Sequence, residues 1–250
     1  MLFAWSEYEQ NGMNKTDKSS VVESGKHSSA PSAVPMRQAA YERIEALLNS
    51  GALRPGQMVT QRELVEMTGS TLGSVREAVP RFEAEGLLQT VPKRGLMVPS
   101  LDVLFVREAY QMRQMIEVSA VDDMVRSMNR KTVEEMIDWH KQVLSKIEAG
   151  EAQAQEVAQA IQQYDWAMHE AFVASMHNSL IANVYRVTAI KIRMAVQSRI
   201  QITSFNALRV IREHLAILDA LASGDAGATR KALTHHLNNS LTLALGGRVD

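Results

Sequence analysis

The chain has 250 residues, 46% of them apolar and 22% charged, enough for one large or two modest domains with cores of their own. A net charge of −1 gives no global sign of a nucleic-acid partner, and the absence of cysteine excludes disulfides, thiolate metal sites and a thiol nucleophile. The apolar start Met1-Leu2-Phe3-Ala4-Trp5 runs at once into Ser6 and Glu7 without a basic lead. No secretory signal or membrane partner is therefore predicted, and the chain is expected to be cytoplasmic.

Residues 1–35 are rich in Ser, Gly, Lys and Pro and lack apolar periodicity, so a disordered tail is expected. From Met36 the positions Ala40, Ile44, Leu47 and Leu48 mark an amphipathic first helix ending near Ser50-Gly51. Thr60 and Glu63 have capping-box spacing, which predicts a second helix over about 61–68. Gly69 ends it and Ser70-Thr71 cap the next, leaving the short connection of a helix-turn-helix. In that third helix Val75, Val79 and Phe82 face a core and Arg76 faces outward, with Leu87 following and Gly86 as the stop. Two short strands, Leu87–Val91 and Leu96–Val98, flank the turn Pro92-Lys93-Arg94-Gly95, so two cations ride the tip of a β-hairpin.

From Arg37 to Ser100 there are eight Lys/Arg and seven Asp/Glu, so any basic surface there must come from placement and not from bulk charge. Beyond Ser100 proline disappears and six helical stretches are predicted: 102–128, 132–149, 153–177, 179–201, 205–222 and 226–245. Thr132 with Glu135 reads as a second capping box. The predicted fold is mainly α: a winged helix-turn-helix over 36–100, then an all-α antiparallel bundle over 101–250.

Asp165 and His169 are four apart and share one helix face, from which both can grip one ion. His214 lies among Val210, Ile211, Ile217 and Leu218, which buries it; by the same spacing His236 faces inward and His235 outward. One carboxylate and three imidazoles from three helices suit a borderline divalent cation, zinc first, with nickel or manganese as alternatives. The plainer alternative satisfies each histidine with a backbone carbonyl or a neighbour. Arg113, beside Tyr110, reads either as an i,i+4 salt bridge to Glu117 or as a fork for an effector carboxylate, and Arg193 has the same two readings.

With the winged helix and the D-x-x-x-H … H … H pattern together, the chain resembles GntR-superfamily transcription factors of the FadR type, which carry an FCD effector domain. The resemblance covers about 37–245. It rests on GALRPGQMVTQRELVEMTG, on Val75-Arg76-Glu77-Ala78, on EAEGL and PKRG, on Asp165/His169, and on EHLAILDAL and ALTHHL around His214 and His236. It implies a homodimeric, ligand-responsive regulator on palindromic operator DNA, most often a repressor, with a small carboxylate binding the metal and Arg113. It also implies Arg62 and Arg76 as phosphate or base contacts, Thr71 and Ser74 as contacts at the recognition-helix N-terminus, and Lys93, Arg94 and Gly95 in a wing that enters the minor groove.

Two positions depart from the family pattern. Leu72 stands where an arginine is usual, and Pro80 sits inside the recognition helix, where a bend is expected. Two rival functions follow from the residues: a metal-dependent hydrolase using the Asp/His cluster, and a ligand-binding interaction protein with a weakened DNA head.

Overall fold

A computed structural model describes residues 33–151, 154–199 and 204–249. The expected tail therefore falls outside the described residues, apart from its last three positions, where helix α1 already begins (Ala33–Asn49). α2 (Gln61–Thr68) follows the sequence reading closely. Thr60 Oγ1 accepts from the Glu63 N–H at 3.2 Å, the Glu63 carboxylate accepts from the Thr60 N–H at 2.6 Å, and Gly69 ends the helix at φ 62°. Thr71 then caps α3 (Leu72–Ala84), and Val75, Val79 and Phe82 are buried as expected.

Several details differ from the sequence reading. α3 runs unbroken through Pro80, whose exposed ring leaves the buried face intact. The stop at Gly86 is as expected, at φ 67° after the C-cap Glu85, so Leu87 lies beyond the helix, but the strand that follows begins only at Gln89. The hairpin strands are β2 (Gln89–Val91) and β3 (Gly95–Met97), and a third strand, β1 (Met58–Val59), pairs antiparallel with β3 in the order β1-β3-β2. Two residues leave no alternation to read, so β1 exists only through its partner. Gly95 is required by that pairing: a Cβ there would stand 2.8 Å from the Val59 carbonyl oxygen, at φ 111°.

The helical half comprises α4 (Val103–Ser119), α5 (Val121–Ser127), α6 (Arg130–Glu148), α7 (Ala154–Ala174), α8 (Ser179–Arg199), α9 (Ser204–Ala222) and α10 (Ala226–Ala244). The single helix expected over 102–128 is two. Its break at Ala120 has neither proline nor glycine, and Ala120 is fully buried where the chain redirects α5 onto the bundle core. The second capping box is not formed. Asn129 caps α6 instead, accepting from the Lys131 N–H at 2.8 Å, which places Thr132 inside the helix.

α8 ties the two halves together. Ile190 and Met194 join the core formed by α1, α3 and the wing, while Ile192, Ala195 and Val196 pack with α4. On the head side, Arg186 donates to Tyr41 Oη at 2.6 Å and to Glu85 Oε1 at 2.8 Å, and also pairs with Glu45. Arg193 and Gln197 both bond to Asn49 at the end of α1.

Candidate metal centre and nucleic-acid interface

Asp165 and His169 on α7, His214 on α9 and His236 on α10 converge as their spacing implied, each offering one ligand atom within 4.8 Å of the others. All four are buried, and His235 is exposed. Asp165 Oδ1 lies 3.0 Å from His214 Nε2, 3.6 Å from His169 Nε2 and 3.7 Å from His236 Nε2.

The opposite nitrogen of every ring is also held. His169 Nδ1 lies 2.6 Å from Glu117 Oε2, His236 Nδ1 lies 2.8 Å from Glu213 Oε2, and His214 Nδ1 lies 3.0 Å from His140 Nε2. A carboxylate beyond a ligating imidazole fixes the ring and keeps the proton on the outer nitrogen. With the outer nitrogens donating, the inner ones present lone pairs, which repel one another and the Asp165 carboxylate unless a cation stands between them. The donor set therefore fits a divalent cation of zinc's class.

The electrostatics point the same way. Burial opposes the Glu117 carboxylate, yet Arg113 and His169 more than compensate and hold it at about 2. Glu213 is likewise held at about 2 despite burial, by His236, Asn239 and Arg209. Burial presses His214 down to about 4 and lowers His236, whereas His169, gripped by Glu117 and Asp165, is raised in spite of its burial. With the histidines neutral, the three carboxylates against the guanidiniums of Arg113 and Arg209 leave one negative charge at the centre, which a divalent cation would convert to one positive charge.

The sequence reading missed Glu213 and His140 and took Glu117 only as a possible partner of Arg113. The i,i+4 spacing found the Arg113–Glu117 pair, but the partners of His236 and His214 lie 23 and 74 residues away in the chain.

Arg113 is 4% exposed and donates from Nε to Glu117 Oε1 at 2.7 Å, which is the salt-bridge geometry. It also borders, with Trp166, His169, Tyr185 and Arg193, a cavity of about 10 Å³, room for one water. Two of these lining residues have a buried N–H, Trp166 Nε1 and Arg193 Nε, without an acceptor among the described residues. Arg193 otherwise bonds to Asn49 and Glu170. Tyr110 does not reach this cavity and bonds Ser240 Oγ at 2.8 Å.

The head carries a second concavity, a cleft of about 450 Å³ between α2, α3 and the wing, walled by Arg62, Leu72, Arg76, Thr90, Lys93 and Gly95. Arg62, Arg76, Lys93 and Arg94 are exposed. Ser74 is 7% exposed and its hydroxyl pairs with Thr71 Oγ1 at 2.8 Å, so it serves the helix cap. Among the described residues no helix is long and apolar enough to cross a membrane.

Family comparisons agree with this architecture. Residues 36–98 match the model described as bacterial regulatory proteins, gntR family, and residues 108–239 match the FCD domain. An HTH-type transcriptional regulator of Bacillus subtilis (strain 168), YdhC, is 23% identical over 203 residues, covering 80% of this chain and 86% of its own. The Nta operon transcriptional regulator of Aminobacter aminovorans is 26% identical over 142 residues, 57% of this chain and 64% of its own. The solved structure of E. coli McbR/YncC shares the fold at a TM-score of 0.70, with 17% identity, covering 84% of this chain and 97% of that one. The chain thus belongs to the GntR family of bacterial regulatory proteins, as a DNA-binding transcriptional regulator with an FCD effector domain. It is a regulator and not an enzyme, which sets the hydrolase reading aside.

Proposed function

We propose that this regulator acts as a homodimeric repressor in the cytoplasm, with a DNA head at 36–100 and an effector domain at 101–250 that holds a divalent cation and a small carboxylate. The observation that carries the reading is the convergence of four buried donors whose outer nitrogens are all engaged. Asp165, His169, His214 and His236 would hold the cation, zinc by donor type. When bound, it would supply positive charge that attracts an anionic oxygen.

Arg113, fixed by Glu117, and the acceptor-less N–H groups of Trp166 and Arg193 support an acceptor-rich ligand beside His169. A cavity the size of one water cannot admit a carboxylate while its walls stand still. Four of its seven lining residues, Tyr185, Ala189, Ile192 and Arg193, lie on α8, the others on α4 and α7, so in this reading entry displaces α8, the helix that grips the DNA head through Arg186, Ile190 and Met194. An effector that prefers the displaced α8 shifts the head by that difference in affinity.

On the DNA side, Arg62, Arg76, Lys93 and Arg94 line or flank the cleft and would neutralise phosphates, with the N-terminal turn of α3, capped by Thr71, at the groove. The exposed apolar row Leu104, Met112 and Met115 on α4 supports pairing of two copies.

The test is fluorescence anisotropy of the zinc-loaded protein on its own upstream DNA, challenged with acetate, lactate, citrate and other small acids. Release by at least one acid, lost in Arg113→Lys, is expected. Release that is unchanged in the variant would remove Arg113 from the effector site.

A further inference from the structure

The three inner imidazoles are not supported alike. His169 and His236 lean on carboxylates, whereas His214 leans on another imidazole, His140 of α6, which is fully buried. Beyond it, His140 Nδ1 lies 2.7 Å from the carbonyl oxygen of Met136, one turn earlier in the same helix. The His140 ring stands edge-on to Trp139, Tyr164 and His214, with centroids 5.0, 5.2 and 5.1 Å away, so it is fenced against turning over.

The donor and acceptor capacities in this row permit one arrangement when His214 Nε2 is a ligand. A carbonyl oxygen only accepts, so His140 Nδ1 carries the proton. A neutral imidazole has one N–H, so His140 Nε2 is an acceptor. His214 Nδ1 then donates to it, and His214 Nε2 is left with its lone pair facing Asp165 and the other two histidines.

We propose that His140 is a positioning residue of the metal centre: it relays the polarity of the Met136 carbonyl to His214 and holds His214 in the tautomer and orientation that a cation requires. This rests on the metal reading above. The relay has a second consequence. Because His140 is neutral where Glu117 and Glu213 are charged, the loaded centre keeps one more positive charge than a third carboxylate would leave, and so remains attractive to an anion.

The experiment is zinc titration of the full chain against a competing chelator, for the wild type, His140→Phe and His140→Gln, together with nitrogen NMR of the imidazoles in the zinc-loaded wild type. The Phe variant removes the acceptor at similar volume and is expected to bind zinc about 10–100-fold more weakly. The Gln variant can accept from His214 and donate to Met136, and is expected to recover most of that loss. The metal-free melting temperatures of both variants should stay close to each other, so that fold loss is separated from lost ligand support. In the wild type, His140 should carry its proton on Nδ1 and show coupling across the bond from His214 Nδ1–H.

Wild-type zinc affinity in the Phe variant, or a proton on His140 Nε2, would overturn the role of His140 while leaving the metal site standing. Absence of zinc binding by the wild type would overturn the metal reading itself. The NMR result decides the matter if the Phe variant does not fold.

Discussion

His169 and His236 bring their Nε2 atoms to 3.3 Å of each other, while Glu117 and Glu213 hold the opposite nitrogens of the two rings. With the outer nitrogens donating to carboxylates, two lone pairs meet across that gap beside a third acceptor, Asp165. Zinc should therefore raise the melting temperature of the chelator-treated protein, by an amount equivalent to about 2.7 kcal/mol at a free concentration one hundred times the dissociation constant. Differential scanning fluorimetry reads this directly. His236→Ala should abolish the shift, and a shift that persists in that variant would place the zinc elsewhere.

Acid should destabilise the metal-free protein through the same cluster. His140 and His214 are pressed by burial from the ordinary 6.5 to about 3 and about 4, so below pH 6.5 the unfolded chain binds protons that the folded chain refuses. Each group then contributes a slope of up to about 1.4 kcal/mol per pH unit. Glu117 and Glu213, held at about 2 against an ordinary 4.5, extend the loss to lower pH, because their contribution is complete above 4.5 and disappears toward 2. His169 is raised and acts oppositely: its contribution is complete below 6.5 and is lost as pH rises through its folded value. Urea midpoints between pH 7 and 4.5 should fall steadily, and a flat profile would contradict the buried neutral state of His140 and His214.

Arg186 is the cation between Glu45, Glu85 and Tyr41; its removal takes the cation from Glu45, while Glu85 keeps Arg81 and the Tyr41 hydroxyl. Arg186→Ala should cost about 1–3 kcal/mol, tempered by the part of the side chain that solvent reaches. Because the contact joins α8 to α1 and the end of α3, hydrogen exchange should rise in those segments ahead of the rest of the bundle.

In the DNA head, Arg62→Ala, Arg76→Ala and Arg94→Ala should each weaken binding to any duplex and reduce the salt dependence of the logarithm of affinity by about one. Anisotropy titrations at several salt concentrations separate these changes from a folding defect, which would lower the active fraction and leave the slope untouched. Leu72 has no hydrogen-bonding group, so Leu72→Ala should change sequence preference and leave the salt slope alone.

Pro80 is exposed within α3 and has no N–H for the carbonyl one turn back, at Arg76. Pro80→Ala should stabilise the head by about 1–3 kcal/mol, the lost helix bond outweighing the entropy that proline removes from the unfolded chain. A lower melting temperature in the alanine variant would show that the ring itself is needed.

Local chemistry was legible in the sequence wherever the determining partners are near in the chain. The Thr60–Glu63 capping box, the turn at Gly69, the inward Val75, Val79 and Phe82, and the Asp165/His169 pair all depend on helical spacing, which fixes direction before any tertiary contact forms. The apolar flanks of His214 and His236 likewise determined that both would be buried.

Only the tertiary structure decided what those buried groups meet. β1 is a strand because β3 lies beside it, and the helix break at Ala120 comes from how α5 must pack and not from any residue that breaks helices. Glu213 and His140 become outer supports of the histidines because α6, α7, α9 and α10 cross at one point, bringing together residues up to 74 positions apart. The attachment of the DNA head to α8 through Arg186 and Asn49 joins positions more than 100 apart. Sequence periodicity states which face of a helix is apolar, but the rotation and crossing of one helix on another are set by the shapes of the side chains that interdigitate, and those are known only once the helices are packed.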